Sequence, residues 1–297
     1  MSSSGVAREP GTGEPVDASW IVPIEPSPDG RCTILCCPHA GGGPSAFHAW
    51  SRLWPHGVTL SVIALPGREH RFGERTIARV EQLMPPLLRA VRSAVQPGFA
   101  LLGHSSGAIV VFELARRLLE TGGPSPALVV VAGCNAPHVA ALRQRQAAAR
   151  ARGAASGTRL SDLPAPQLLE VLGELGGPTR QAMGDPELLE LILPAVRADF
   201  ALIDNYEPDP GERLPVPIQG LAGRSDPIAP PSEVARWAEV AGGGFECSVF
   251  DGDHFFMYES GRAVLALVTA ALQRRASAAG RAPTIPRLPR RSGEDRS

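Results

Sequence analysis

FALLGHSSGAIVVFELARRLL, residues 99–119, decides how this 297-residue chain is read. Phe99–Leu102 is a short continuous apolar run, the mark of a buried strand. Ser106–Leu119 carries apolar residues at helical spacing and reads as a strong helix. Between them Gly103-His104-Ser105-Ser106-Gly107 fits G-x-S-x-G. A strand running into that motif and a helix leaving it make a sharp turn that exposes the serine hydroxyl above a sheet. The two glycines suit a turn with no room for side chains against the neighbouring strand and helix. The helix start also brings backbone N–H groups beside Ser105. Ser105 is therefore the candidate nucleophile. The bland alternative is a strand–helix turn without chemistry.

Outward from this stretch, apolar runs alternate with helical ones. Cys32–Cys37, Val58–Leu65, Ala127–Ala132, Val216–Ala222 and Phe245–Phe250 read as strands. Val80–Val95 and Val264–Gln273 read as helices, with Pro85 and Pro86 expected to break the first. The central strands are apolar throughout rather than alternating, as a parallel sheet covered on both faces requires. The fold class predicted is α/β, a mostly parallel central sheet flanked by helices.

About 139–212 interrupts that rhythm and holds no convincing strand. Ala140–Ala151, Ala165–Leu175 and Pro186–Tyr206 are helical in pattern. Asp185 before Pro186 is an N-cap followed by proline at the first helical position. Leu188, Leu189, Ile192, Val196, Phe200 and Ile203 form one apolar face, and Pro194 should kink that helix. So long an insertion reads as a helical lid, with ordinary crossover helices as the alternative. Residues 1–18 read as a disordered N-terminal arm, 19–275 as the domain, and 276–297 as a disordered Arg-rich tail. From Ala271 onward, seven Arg face two acids.

Composition excludes several function classes. Basic and acidic residues nearly cancel at 29 and 30, so bulk attraction to nucleic acid is not expected. Aromatic residues are only 5%, too few for stacking platforms. Every basic residue is Arg, which removes Schiff-base and P-loop lysine chemistry. Five cysteines, none in a CxxC pair, read as buried small residues at Cys36 and Cys37 rather than a redox or metal set. No metal or cofactor is expected. There is no apolar leader and no run of about 18 apolar residues, so a cytoplasmic protein without a membrane contact is expected.

A serine nucleophile needs a base, an orienting acid and an oxyanion hole. Only His138 and His254 follow Ser105, and chain order in such sites runs Ser, acid, His. His138 comes too early for an acid to intervene, whereas His254 lies just after the last strand. Asp226 directly follows the strand ending at Ala222, the right address for an α/β site. Asp251 and Asp253 are the alternatives. For the oxyanion, the expected donors are the backbone N–H groups of Ser106 and of Ala40, with Gly41 next. Ala40 lies in Pro38-His39-Ala40-Gly41-Gly42-Gly43, immediately after a strand.

CCPHAGGG, LPGRE (65–69), GHSSGA, LPAVRADF (193–200), GRSDP and GDHFF together resemble the type II thioesterases of polyketide and nonribosomal peptide assembly lines. The resemblance runs from about Cys32 to Leu272. It implies an α/β-hydrolase fold with a helical lid and a triad of Ser105, Asp226 and His254. It also implies action in trans on acyl or peptidyl carrier proteins, hydrolysing stalled or aberrant acyl groups from the phosphopantetheine thiol. A monomer is expected. Ser106 departs from the larger apolar residue common at that place, and the Arg-rich tail lies outside the pattern. A chain-releasing or cyclising thioesterase or esterase would use the same residues, and the absence of a fused carrier domain favours the editing role. A non-catalytic binding protein on this scaffold should have lost part of the Ser, Asp, His set.

Overall fold

Apolar runs covered on both faces become neighbouring strands of one sheet. The computed structural model describes residues 18–25, 32–53, 58–151, 157–177, 185–209, 211 and 213–279. Its strands are β1 (Ile21–Glu25), β2 (Cys32–Cys37), β3 (Val58–Ile63), β4 (Ala100–His104), β5 (Leu128–Ala132), β6 (Ile218–Gly223) and β7 (Phe245–Phe250), in the order β1-β3-β2-β4-β5-β6-β7. All neighbouring pairs are parallel except β1 with β3. β1 lies outside the strands expected from sequence. Pro23 sits inside it, and the register slips between Pro23 and Glu25. Proline cannot donate to a ladder, so such a run is confined to an edge and reads weakly.

The helices are α1 (Val80–Ala94), α2 (Ser106–Glu120), α3 (Pro137–Ala148), α4 (Ala165–Leu175), α5 (Pro186–Asp204), α6 (Pro231–Val234), α7 (Phe256–Glu259) and α8 (Gly261–Ala279). Alternate strand residues feed two cores. Leu35, Leu101, Val129 and Val131 meet α1 and α2 on one face. Ile34, Leu102 and Val130 meet Phe47, Trp50 and α8 on the other. Full burial of such side chains contributes about 1.5–3 kcal/mol each.

Two expectations are corrected. The break at Pro85 and Pro86 does not occur, and α1 runs continuously through both. Its buried stripe is Val80, Leu83, Met84, Leu87, Ala90 and Val91, while the prolines sit away from it, Pro85 exposed. Carbonyls left unpaired there can face water. The closing helix α8 also extends to Ala279, past Gln273 and into the segment read as a tail. Most of the two arms, 1–17 and 280–297, lies outside the described residues.

Between β5 and β6 the described chain is helical. α5 passes through Pro194 without interruption, and Asp185 accepts from the N–H groups of Glu187 and Leu188 at 3.1 Å. A third core joins Leu168, Val171, Leu172, Val196 and Phe200 to Phe255. The insertion therefore rests on the residue next to His254. The apolar face of α5 is split: Leu189, Val196, Phe200 and Ile203 are buried, whereas Leu188 is 41% exposed.

Candidate active site

The carboxyl ends of β2, β4, β6 and β7 each deliver one part of the site, as expected for a parallel sheet. Ser105 stands between β4 and α2 with φ 54° and ψ −124°, a strained conformation for a residue with a Cβ. The chain holds it there. The Ser105 N–H donates to the Ala132 carbonyl (2.9 Å), and its carbonyl accepts from Ala108 (2.9 Å). The glycines are required by close approach. A Cβ on Gly103 would lie 2.3 Å from the Gly107 carbonyl oxygen, and one on Gly107 would lie 2.4 Å from that of Cys37. Only glycine lets β4 turn into α2 this tightly against the end of β2.

His254 follows β7 and is 2% exposed. Its Nδ1–H donates to Asp226 Oδ2 at 2.8 Å. Asp226 follows β6, and its other oxygen accepts from Ile228 (2.9 Å) and Ala229 (3.0 Å). This is a side-chain turn typical of Asp ahead of Pro227. Burial pushes the Asp226 carboxyl up, but His254 and the N–H groups of Ala229 and Ile228 outweigh it and hold it below the usual range. With Nδ1 so engaged, Nε2 is the nitrogen left for proton transfer. The loop is tied to the serine turn through His104, whose Nε2–H donates to the His254 carbonyl at 2.8 Å. His104 is wholly buried, its Nδ1 has no partner among the described residues, and burial pushes its pKa well down.

The loop after β2 is a tight turn, with Gly42 N–H donating to the His39 carbonyl (2.9 Å) and Gly41 at φ +76°. Gly41 N–H donates to Asp199 Oδ2 at 2.8 Å. His39 Nδ1 and the Tyr258 hydroxyl share a hydrogen bond of 2.9 Å. Burial, then the neighbouring His254 and Arg68, pushes the His39 imidazole down to about 3. Beside the loop opens a cavity of about 730 Å³, bounded by Ala40, Gly41, Phe72, Leu188, Leu191, Ile192 and Val196. Neither Ser105 nor His254 lines it.

The profile of the Thioesterase domain family matches residues 32–272. The chain belongs to that family. Among relatives, this thioesterase is 30% identical to the gramicidin S biosynthesis protein GrsT of Aneurinibacillus migulanus, over 81% of this chain and 89% of GrsT. It is 33% identical to the thioesterase PikA5 of Streptomyces venezuelae, over 80% of each. The solved structure of BorB, the type II thioesterase from the borrelidin biosynthetic cluster, is 31% identical and fits with a TM-score of 0.72, covering 88% of this chain and all of BorB. YbtT, a type II thioesterase from the yersiniabactin pathway, fits at 0.73 with 27% identity, covering 86% of this chain and 99% of YbtT. The fold of this thioesterase is accordingly the α/β-hydrolase fold.

Of the residues singled out from sequence, the thioesterase structure brings His254 and Asp226 into direct contact and sets Ser105 on the strained turn. The alternatives to Asp226 are engaged elsewhere. Asp251 pairs with Arg224 in solvent, and Asp253 accepts from the Phe255 N–H. Three residues near the site went unassigned in the sequence: Arg68, Asp199 and Tyr258. Arg68 and Asp199 lie within LPGRE and LPAVRADF, but no role could be attached to either. The one available signal was spacing. Asp199 falls three residues after Val196 and four before Ile203, on the buried stripe of a helix, where a carboxylate requires a partner.

Proposed function

We propose that this chain is a serine thioesterase acting in trans on acyl or peptidyl carrier proteins, clearing stalled or aberrant acyl groups from the phosphopantetheine thiol. The observation that carries the mechanism is the buried His254–Asp226 pair, tied through His104 to the turn that holds Ser105 at positive φ. The substrate class draws support from BorB and YbtT, both described as type II thioesterases.

Ser105 Oγ attacks the thioester carbonyl while His254 Nε2 takes its proton. Asp226 holds the imidazole by Nδ1 and stabilises the imidazolium. The developing oxyanion is met by backbone N–H groups of Ser106 and Ala40. Ser106 opens α2, and the first N–H of a helix has no acceptor within that helix. Gly41 N–H is committed to Asp199, which favours Ala40 as the loop donor. The thiolate of the carrier leaves with the proton from His254. Water then attacks the acyl-serine with His254 again as base, releasing the acid and restoring Ser105. The apolar cavity walled by α5 takes the acyl chain, and the helices between β5 and β6 serve as its lid. We place the enzyme in the cytoplasm as a monomer, with no cofactor or metal.

The test is intact-protein mass spectrometry of acyl-loaded carrier protein mixed with wild type or Ser105→Ala, with an oxygen ester run alongside. Wild type should free the carrier thiol and Ser105→Ala should not. Cleavage of the oxygen ester alone would remove the carrier-protein role.

A further inference from the structure

Three elements remote in sequence meet at one carboxylate beneath the loop that follows β2. Asp199, on α5, is 1% exposed. Its Oδ2 accepts from Gly41 N–H (2.8 Å) and from Arg68 Nη1, and its Oδ1 accepts from Arg68 Nη2 (2.9 Å). Arg68 is 5% exposed and also donates toward the carbonyls of Gly42 and Pro66, each at 3.4 Å. Stability alone is a poor reason for such a pair, since well-packed apolar residues commonly replace a buried ion pair at no cost. An apolar pair could not, however, accept the Gly41 N–H.

That hydrogen bond fixes a peptide plane. Gly41 has φ +76°, and the Gly42-to-His39 bond closes the turn around it. With the 40–41 peptide pinned to Asp199, the preceding peptide, which carries the Ala40 N–H, is held in one orientation. α5 clamps the loop a second time. A Cβ on Gly41 would lie 2.5 Å from Val196 Cγ2, so the helix packs directly on the bare glycine. Val196 also walls the apolar cavity, so the cavity wall and the loop clamp belong to one helix.

We propose that Asp199, held by Arg68, is a positioning residue that orients the oxyanion amide of Ala40 through the Gly41 N–H. It touches no substrate atom. This inference rests on the reading of Ala40 and Ser106 as oxyanion donors in a Ser105 thioesterase.

The experiment compares wild type, Asp199→Ala, Asp199→Asn and the apolar double variant R68M/D199L. Each is assayed for turnover of an acyl-carrier protein. Each is also assayed for binding of an acyl trifluoromethyl ketone, which forms a tetrahedral adduct on Ser105, and of an uncleavable acyl-pantetheine amide. Asp199→Ala should lower kcat by about 10- to 100-fold with KM within about 3-fold, because a misplaced donor fails mainly in the transition state. Ketone affinity should fall by a similar factor while amide affinity holds. Asp199→Asn, which keeps an oxygen for Gly41, should recover most of the loss. Should Asp199→Ala fail to fold, R68M/D199L carries the comparison, being folded and as slow. The proposal is overturned if ketone and amide affinities fall together, or if R68M/D199L turns over like wild type. A wild type that binds the ketone but leaves acyl-carriers intact overturns the carrier-protein reading, and the ketone comparison still decides the role of Asp199. A wild type that does neither overturns both.

Discussion

Strain at a single residue organises the site. Holding Ser105 at φ 54° costs about 1–3 kcal/mol, and Gly103 and Gly107 make the turn sterically possible. Gly107→Ala should therefore destabilise the fold by about 1–3 kcal/mol and abolish turnover, measured by urea unfolding and carrier deacylation. Wild-type values for both would contradict the close approach. Asp226→Asn should leave the fold intact and lower kcat by about 10⁴-fold, because the amide favours the wrong tautomer of His254. Asp251→Asn, whose carboxylate pairs with Arg224 in solvent, should stay near wild type in the same assay. His104 gives a pH prediction. The fold keeps it neutral while an unfolded histidine takes a proton near pH 6.5. The unfolded state thus binds more protons as pH falls, so this part of the stability is complete above about pH 6.5 and is lost progressively below it. His104→Gln, which keeps a donor for the His254 carbonyl, should show a shallower acid loss in unfolding measured from pH 7.5 to 4.5. An unchanged slope would contradict the buried neutral histidine.

At the scale of elements, helices were legible where spacing and caps agree. α5 could be read from Asp185, Pro186 and its apolar stripe. α1 shows where a local rule overreaches. Pro85 and Pro86 each remove a backbone donor, yet the stripe on the opposite face packs firmly enough to carry the helix through. Restoring the bond with Pro85→Ala should stabilise the protein by about 1–2 kcal/mol, the gain in helix offset in part by a looser unfolded chain. Thermal unfolding checks this, and a lower midpoint would contradict it. β1 was illegible because Pro23 masks a strand that exists only by pairing with β3. The half-exposed Leu191 on α5 borders the cavity. Leu191→Asp should raise KM for long acyl chains several-fold and leave short ones nearly unchanged, and equal effects on both would argue that the chain lies elsewhere.

Over the whole molecule, the parallel sheet does the assembling. Ser105, Asp226, His254 and the Ala40 loop stand far apart in sequence but all follow strands at the same end of the sheet. That is why the candidate site was legible from motif order and strand ends alone. What stayed hidden was contact between elements. The Arg68–Asp199 clamp joins the loop after β3 to a helix of the insertion, and neither residue names its partner in a single sequence. Nor could the path of the insertion over the glycine loop be read from periodicity, which tells which face is buried but not against what. Acylation of Ser105 is tested by a rapid-quench peptide mass spectrum of the wild-type enzyme mixed with acyl-loaded carrier protein. The acyl mass should appear on the peptide containing Ser105 as the carrier loses it, and should vanish in Ser105→Ala along with turnover. Deacylated carrier with no acyl-Ser105, or turnover that survives Ser105→Ala, would rule out Ser105 as the nucleophile.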